Sequence, residues 1–204
     1  MTGRLLELKS DKLVKEKNKS IYYHDKAFNP KHIRMTFDFS NRKIAFVDVR
    51  RFGTVKLLKE LSATGVDPVK KDFSYQVFLE LIQSTAQPLK NFLMRQDKIT
   101  GIGNIYASEI LFLSKLSPLR NTKDLNSKEY KVLYKNIIKI LNKAIENCGT
   151  TFSDFQTTTG DTGNYQQFLK VYQREGLKCI RCKAKIKRII QQQRSTFYCS
   201  KCQK

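Results

Sequence analysis

Residues 33–39 alternate between apolar and polar side chains, with Ile33, Met35, Phe37 and Phe39 separated by Arg34, Thr36 and Asp38. A period of two is the signature of a strand with one buried face. Ser40-Asn41-Arg42 supplies a turn and residues 43–49 resume a β-rich run, so the spacing predicts a hairpin. The first 60 residues read as strands, interrupted at residues 9–19, where seven of eleven side chains are ionisable and a mobile loop is expected. Gly65-Val66-Asp67-Pro68 marks the exit from the sheet region, because the residue before a proline is pushed out of helical backbone space. From Asp72 the period becomes helical. Phe73, Val77, Phe78, Leu81 and Ile82 form one apolar stripe, and Val132, Leu133, Ile137, Ile140, Leu141, Ala144 and Ile145 form a second, stronger one. Asn126 or Ser127 is the expected N-cap of the second helix and Gly149 its C′ residue. Residues 157–164, all small and polar, predict a flexible loop, and the segment from Cys179 reads as short strands between cysteine pairs.

Charge narrows the partner. The 204 residues carry 39 Lys and Arg against 18 Asp and Glu, a formal net charge of +21. Such an excess points to a polyanion, most often nucleic acid. A hydrophobic fraction of 40%, with 13 Phe and 9 Tyr, supplies enough apolar material for cores and argues against global disorder. No apolar run reaches the ~18 residues of a membrane span, and no signal-peptide stretch follows Met1, so a cytoplasmic protein without a membrane partner is expected.

Four of the five cysteines lie in the last 26 residues, as Cys179-Ile180-Arg181-Cys182 and Cys199-Ser200-Lys201-Cys202, with 16 residues between the pairs. Each knuckle turns two thiolates toward one ion, and the intervening strands let the second pair complete a tetrahedron. The spacing predicts one zinc, structural because four protein ligands leave no open position. With the ion bound, the net charge becomes about +19, still strongly basic. Cys148 stands apart and reads as a small buried hydrophobe. Between the knuckles, Lys183, Lys185, Lys187, Arg188 and Arg194 alternate with Ile186, Ile189, Ile190 and Phe197. That pattern reads equally as a hairpin gripping a phosphate backbone and as a solvated face.

Gly101-Ile102-Gly103-Asn104 precedes a helical run and would present backbone N–H groups at a positive helix end, where phosphate binds readily. Alone it reads as an ordinary helix start. Its surroundings carry more. Residues 96–109 (QDKITGIGNIYASE) resemble the helix–two-turn–helix of the formamidopyrimidine-DNA glycosylases, and residues 193–203 (QRSTFYCSKCQ) resemble that family's zinc-finger hairpin. Asp48-Val49-Arg50-Arg51-Phe52-Gly53 is similar to its strand–loop signature, and Met1-Thr2-Gly3 to a Met-Ser/Thr-Gly element before it. The four motifs occur in family order.

The resemblance implies an α+β chain in three parts. Residues 1–62 would be the remnant of an N-terminal β-sandwich, 63–155 a helix–two-turn–helix DNA-binding domain, and 156–204 a lesion-side loop and zinc finger. It also implies roles. Met1, Arg50 and Phe52 would form the wedge that fills the gap left by an extruded base, with Arg50 reaching the orphaned partner base. His32, Lys90, Asn104 and Arg194 would contact DNA phosphates, and Arg194 would assist the elimination step. Cys179, Cys182, Cys199 and Cys202 would hold the zinc. The partner implied is double-stranded DNA carrying damaged bases or abasic sites, bound by a monomer.

One departure bears on chemistry. The family's nucleophile is the amine of an N-terminal proline, followed by a catalytic glutamate, and this sequence begins Met1-Thr2-Gly3 at what resembles the wedge position. The expected function is base-excision repair, as a glycosylase and abasic-site lyase that removes oxidised purines and cleaves by β,δ-elimination, with the nucleophile segment outside this chain. The alternative is a damaged-DNA-binding remnant without catalysis. A zinc-ribbon RNA-binding protein fits the Arg50 and Phe52 signature poorly.

Overall fold

The computed structural model describes residues 3–8, 29–59, 65–150 and 164–204. The expected mobile loop at 9–19, the loop at 157–163 and Met1 lie outside the described residues. The chain forms two compact units, one drawn from Met1–Leu61 and Asn147–Gln166, the other from Ser62–Glu146 and Gln167–Lys204.

In the first unit, β1 (Gly3–Leu8), β2 (Ile33–Phe39) and β3 (Arg42–Asp48) form an antiparallel sheet in the order β1-β3-β2. The predicted hairpin is β2–β3, with Phe39 opposite Arg42. The alternation along β2 does not translate into a buried face, since Met35 and Phe39 are 43% and 54% exposed. Burial concentrates instead on the central strand, where Ala45 and Val47 pack with Leu8 and Ile33, because among the described strands β3 is the one with neighbours on both sides. A register shift between Ile33 and Met35 leaves Arg34 out of the ladder, and its Nε donates to the Asp48 carbonyl at 2.8 Å. Residues 52–58, within the region read as strands, form no ladder.

Among its described residues the second unit holds four α-helices, α1 (Tyr75–Gln83), α2 (Leu89–Leu93), α3 (Asn104–Ser114) and α4 (Ser127–Glu146), followed by a hairpin of β4 (Lys187–Gln191) and β5 (Arg194–Tyr198). Ser74 caps α1 by accepting from the Val77 N–H at 3.2 Å, so the helix starts after Phe73, which is itself buried and packs on Phe78. Of the two candidate caps for α4, Asn126 takes the role, its side chain accepting from the N–H groups of Lys128 and Glu129 at 3.0 and 3.1 Å. The α4 stripe buries Leu133, Ile137, Ile140, Leu141 and Ala144, joined by Tyr130, whereas Val132 and Ile145 fall on its flanks and are 43% and 62% exposed. Beyond Glu146 the chain leaves through two left-handed residues, Cys148 (φ 56°) and Gly149 (φ 80°). That turn carries Cys148 to the surface, so the expectation of a buried thiol is corrected. Helix α3 sits at the centre and is buried nearly all round, with Ala107, Ile110, Leu111 and Phe112 in the core.

Candidate nucleic-acid interface and metal centre

The turn before α3 is built by one glutamine. Gln96 accepts the Gly101 N–H on its side-chain oxygen at 3.1 Å and donates from its side-chain nitrogen to the Ile102 carbonyl at 2.9 Å. Gly101 occupies left-handed backbone (φ 78°), which explains a glycine there. Gly103 is different. It is the N-cap of α3 in extended backbone (φ −97°, ψ −175°), and a Cβ built on it meets no protein atom within 4 Å. No steric contact demands glycine at 103, and no side chain caps the helix end there.

Three predicted residues converge beside that helix end. The Asn104 side chain donates to the Ser195 carbonyl at 2.9 Å, and Ser195 follows Arg194 in β5. Lys90 donates from Nζ to the Thr196 hydroxyl at 2.6 Å and lies 3.4 Å from the Ser195 carbonyl. The lysine is only 1% exposed, so it sits beneath the hairpin and not on the surface. Burial, and after it the nearby Arg194 guanidinium, pull its pKa down to about 8. Arg194 itself is exposed at the hairpin tip, paired with Gln191 across a two-residue loop. Both loop residues, Gln192 (φ 46°) and Gln193 (φ 58°), adopt the left-handed backbone of a type I′ turn, a geometry that favours Asn-Gly.

Two residues at this site were not singled out by sequence. Tyr172 stacks edge-on against Phe197 with ring centroids 5.1 Å apart and brings its hydroxyl 3.4 Å from the Asn104 amide. Glu109, the last residue of the 96–109 motif, is a buried carboxylate that accepts from the backbone N–H groups of Lys170, Val171 and Tyr172, each at 2.9 Å. Burial pushes its pKa up while those three donors oppose the rise. Glu109 thereby fastens the Tyr172 segment to α3. No spacing in the sequence connects residues more than sixty positions apart.

The first unit presents the other motif. Asp48, 1% exposed, accepts from the Arg50 N–H at 3.1 Å and the Gly53 N–H at 2.6 Å, cinching residues 48–53 into a tight loop. A Cβ on Gly53 would approach the tip of the Phe46 ring to 2.5 Å and Asp48 Oδ2 to 3.0 Å, so any larger residue must displace that ring. The loop pushes Phe52 outward to 79% exposure, with the Arg50 guanidinium 5.5 Å from its ring centre. His32 ends a short 3-10 turn at Pro30–His32, and its Nδ1 is buried without a hydrogen-bond partner among the described residues.

The four cysteine sulfurs of Cys179, Cys182, Cys199 and Cys202 lie within 4.8 Å of one another. Cys182 to Cys199 is 3.4 Å and Cys179 to Cys202 is 3.9 Å, close to the roughly 3.8 Å edge of a tetrahedron with Zn–S of about 2.3 Å. Backbone N–H groups are aimed at the sulfurs, that of Arg181 reaching Cys179 Sγ at 3.4 Å. Four sulfurs this close together, two of them from buried cysteines, match a divalent cation that holds all four as thiolates, so the donor set fits one structural zinc. The centre is anchored to α3. The Gln203 side chain accepts the Cys199 N–H at 2.8 Å and donates to the Leu116 carbonyl at 2.9 Å, and Arg181 donates to the Phe112 carbonyl at 2.6 Å.

A glycine turn opening a central helix, closed over by a four-cysteine hairpin, defines a helix–two-turn–helix module with a zinc finger. Family profiles match both parts: "Formamidopyrimidine-DNA glycosylase H2TH domain" over residues 64–156 and "Zinc finger found in FPG and IleRS" over residues 176–204. The formamidopyrimidine-DNA glycosylase of Desulforamulus reducens is 37% identical over 212 residues, covering 100% of this chain and 72% of the relative. That of Mycoplasma genitalium is 38% identical over 184 residues, covering 87% of this chain and 65% of the relative. Among solved structures, the Lactococcus lactis Fpg in complex with DNA containing an abasic site superposes with a TM-score of 0.76 at 30% identity, covering 100% of this chain and 72% of that one. The MutM (Fpg) protein of Thermus thermophilus gives 0.74 at 33% identity, over 86% and 69%. The chain belongs to the formamidopyrimidine-DNA glycosylase family. It spans 64% of the Prochlorococcus marinus relative and 72% of the Desulforamulus one.

Proposed function

We propose that this chain is the DNA-holding part of a base-excision repair glycosylase and abasic-site lyase acting on oxidised purines in double-stranded DNA. The observation that carries the reading is Gly103, a glycine that no packing contact requires, at a helix end without a side-chain cap, with Asn104 and the Arg194 hairpin beside it. A side chain there would meet only an incoming ligand, and a helix N-terminus flanked by arginine fits phosphate. In this reading Asn104 and Arg194 hold the backbone near the lesion, His32 contributes a further phosphate contact, and Lys90 serves the interface from below by supporting β5. Phe52 and Arg50, with Met1, fill the gap left by the extruded base. The solved relative bound to abasic-site DNA supports the substrate class. Zinc, when bound, holds the hairpin in shape and takes no part in bond breaking.

A four-thiolate site needs a reducing compartment, which supports a cytoplasmic location. Among the described residues no helix is long and apolar enough to cross a membrane.

Bond cleavage needs an unprotonated amine at the sugar C1′, forming a Schiff base that permits elimination. The 204 residues contain no Pro-Glu pair to supply the family's amine and its acidic neighbour. That favours a second reading, DNA binding without excision by this stretch alone. Borohydride trapping on a duplex with one oxidised guanine separates the two. The expected result is an adduct when a Pro-Glu-bearing segment of a relative is fused upstream and none with the 204 residues. A rapid adduct mapping to the amine of Met1 or Thr2 overturns this division of labour, and failure of the fusion to trap leaves the binding-only reading.

A further inference from the structure

We infer that the outward face of α4 is a second DNA-backbone contact, which holds a duplex segment other than the one at the hairpin tip. This rests on the DNA-binding reading above. Lys128, Lys131, Lys135 and Lys139 succeed one another at three- and four-residue steps, which aligns them on one side of the helix. All four are exposed, and among the described residues none has a side-chain hydrogen bond or ion pair. Lys143 continues the row and lies 4.0 Å from the Phe168 ring centre.

The opposite side of α4 is the one that buries Leu133, Ile137 and Ala144, and the helix packs against α3 and α1. Asn104 begins α3, so the lysine row looks away from the helix whose start is the first site. The two carboxylates of α4 do not neutralise the row. Glu129 is tied to Arg120 at 2.6 Å, and Glu146 is the last residue of the helix, two turns beyond Lys139.

Among the described residues no packing or pairing accounts for this arrangement. Like charges one turn apart weaken a helix, and a face that serves only to keep a helix wet typically mixes signs. An acidic bilayer is a poor occupant, because an interfacial helix inserts its apolar face and here that face is spent on the core. A DNA strand is a good one. Lys128 to Lys139 spans about 16 Å of helix axis, and flexible four-carbon stems let each ammonium follow the phosphates of one backbone. Four such contacts give capture of a second duplex a slope of roughly −3.6 in log affinity against log salt. A protein with two backbone-binding faces can take hold of a new segment before it releases the old one.

The test uses the full chain bound to a labelled duplex carrying an abasic-site analogue, chased with rising concentrations of undamaged duplex. The wild-type release rate should climb several-fold with competitor. In the triple variant Lys131→Gln, Lys135→Gln, Lys139→Gln, which keeps good helix formers, release should be independent of competitor and equal to the wild-type rate at its lowest concentration. Circular dichroism should show unchanged helix content. A flat wild-type rate, a climb that survives in the triple variant, or release driven by anionic vesicles and not by duplex would each overturn the proposal. Asn104→Ala should shorten retention on the lesion duplex while leaving the competitor dependence intact. A wild-type chain that binds no lesion duplex at all removes the DNA reading itself, and this surface with it.

Discussion

Lys90 donates to the hydroxyl of Thr196 from a site closed to solvent, directly beneath the strand that carries Arg194. Burial followed by the Arg194 charge holds its pKa down to about 8, against about 10.4 in an unfolded chain. Between those values the unfolded chain binds more protons, so this group makes stability rise with pH across roughly 8 to 10, and its full penalty applies below that window. Lys90→Met should abolish this rise in urea denaturation, read as the difference between variant and wild type at each pH. A Lys90 that touches phosphate would lower the salt slope of DNA binding by roughly 0.9 when replaced. From its place under the hairpin, the expected slope is unchanged.

Gly103→Ala should lower the melting temperature by no more than a few degrees, the size of an N-cap preference, because the added carbon meets nothing and the backbone is already extended. DNA affinity should nonetheless fall about tenfold or more, on the order of 1.4 kcal/mol, as the methyl group occupies the approach to the helix end. Equal affinity for the variant and wild type would show that the turn is only a helix start.

Binding to a short duplex should weaken steeply with salt. Five neutralised phosphates give a slope near roughly −4.5. Replacing Asn104 or Arg194 should weaken damaged and undamaged duplexes alike, whereas Phe52→Ala should remove preference for an abasic site and leave the slope untouched. A preference that survives Phe52→Ala would show that the exposed ring is not the wedge.

Chelation should release one zinc per chain and loosen the hairpin, since Cys179 and Cys199 are themselves core residues packed with Phe112, Val171, Ile186 and Phe197. DNA binding and the protection of β5 amides against hydrogen exchange should be lost together. Metal analysis in reducing buffer that finds no stoichiometric zinc would rule out the centre.

Replacing Gln192-Gln193 by Asn-Gly should stabilise the hairpin by about 0.5–1 kcal/mol, because both positions hold left-handed backbone that glutamine adopts at a cost. Thermal unfolding of the zinc-loaded chain reads this directly, and a lower melting temperature would show that the glutamine side chains make contacts worth more than the strain.

Features whose physics is local could be read from the chain directly. The cysteine knuckles, the β2–β3 hairpin, the α4 stripe and the glycine turn each depend on residues a few positions apart, where spacing alone dictates geometry. The tertiary structure decided everything that depends on distant segments meeting. It put Lys90 under Thr196, although a lysine in sequence looks like a surface charge. It joined Glu109 to the Tyr172 segment, turned Cys148 outward through a left-handed exit, and left Met35 and Phe39 exposed on an edge strand whose alternation predicted burial. Periodicity records which side of an element differs from the other, whereas burial, desolvation and hydrogen-bond partners are set by what packs against it, and that is fixed only when the whole chain has folded.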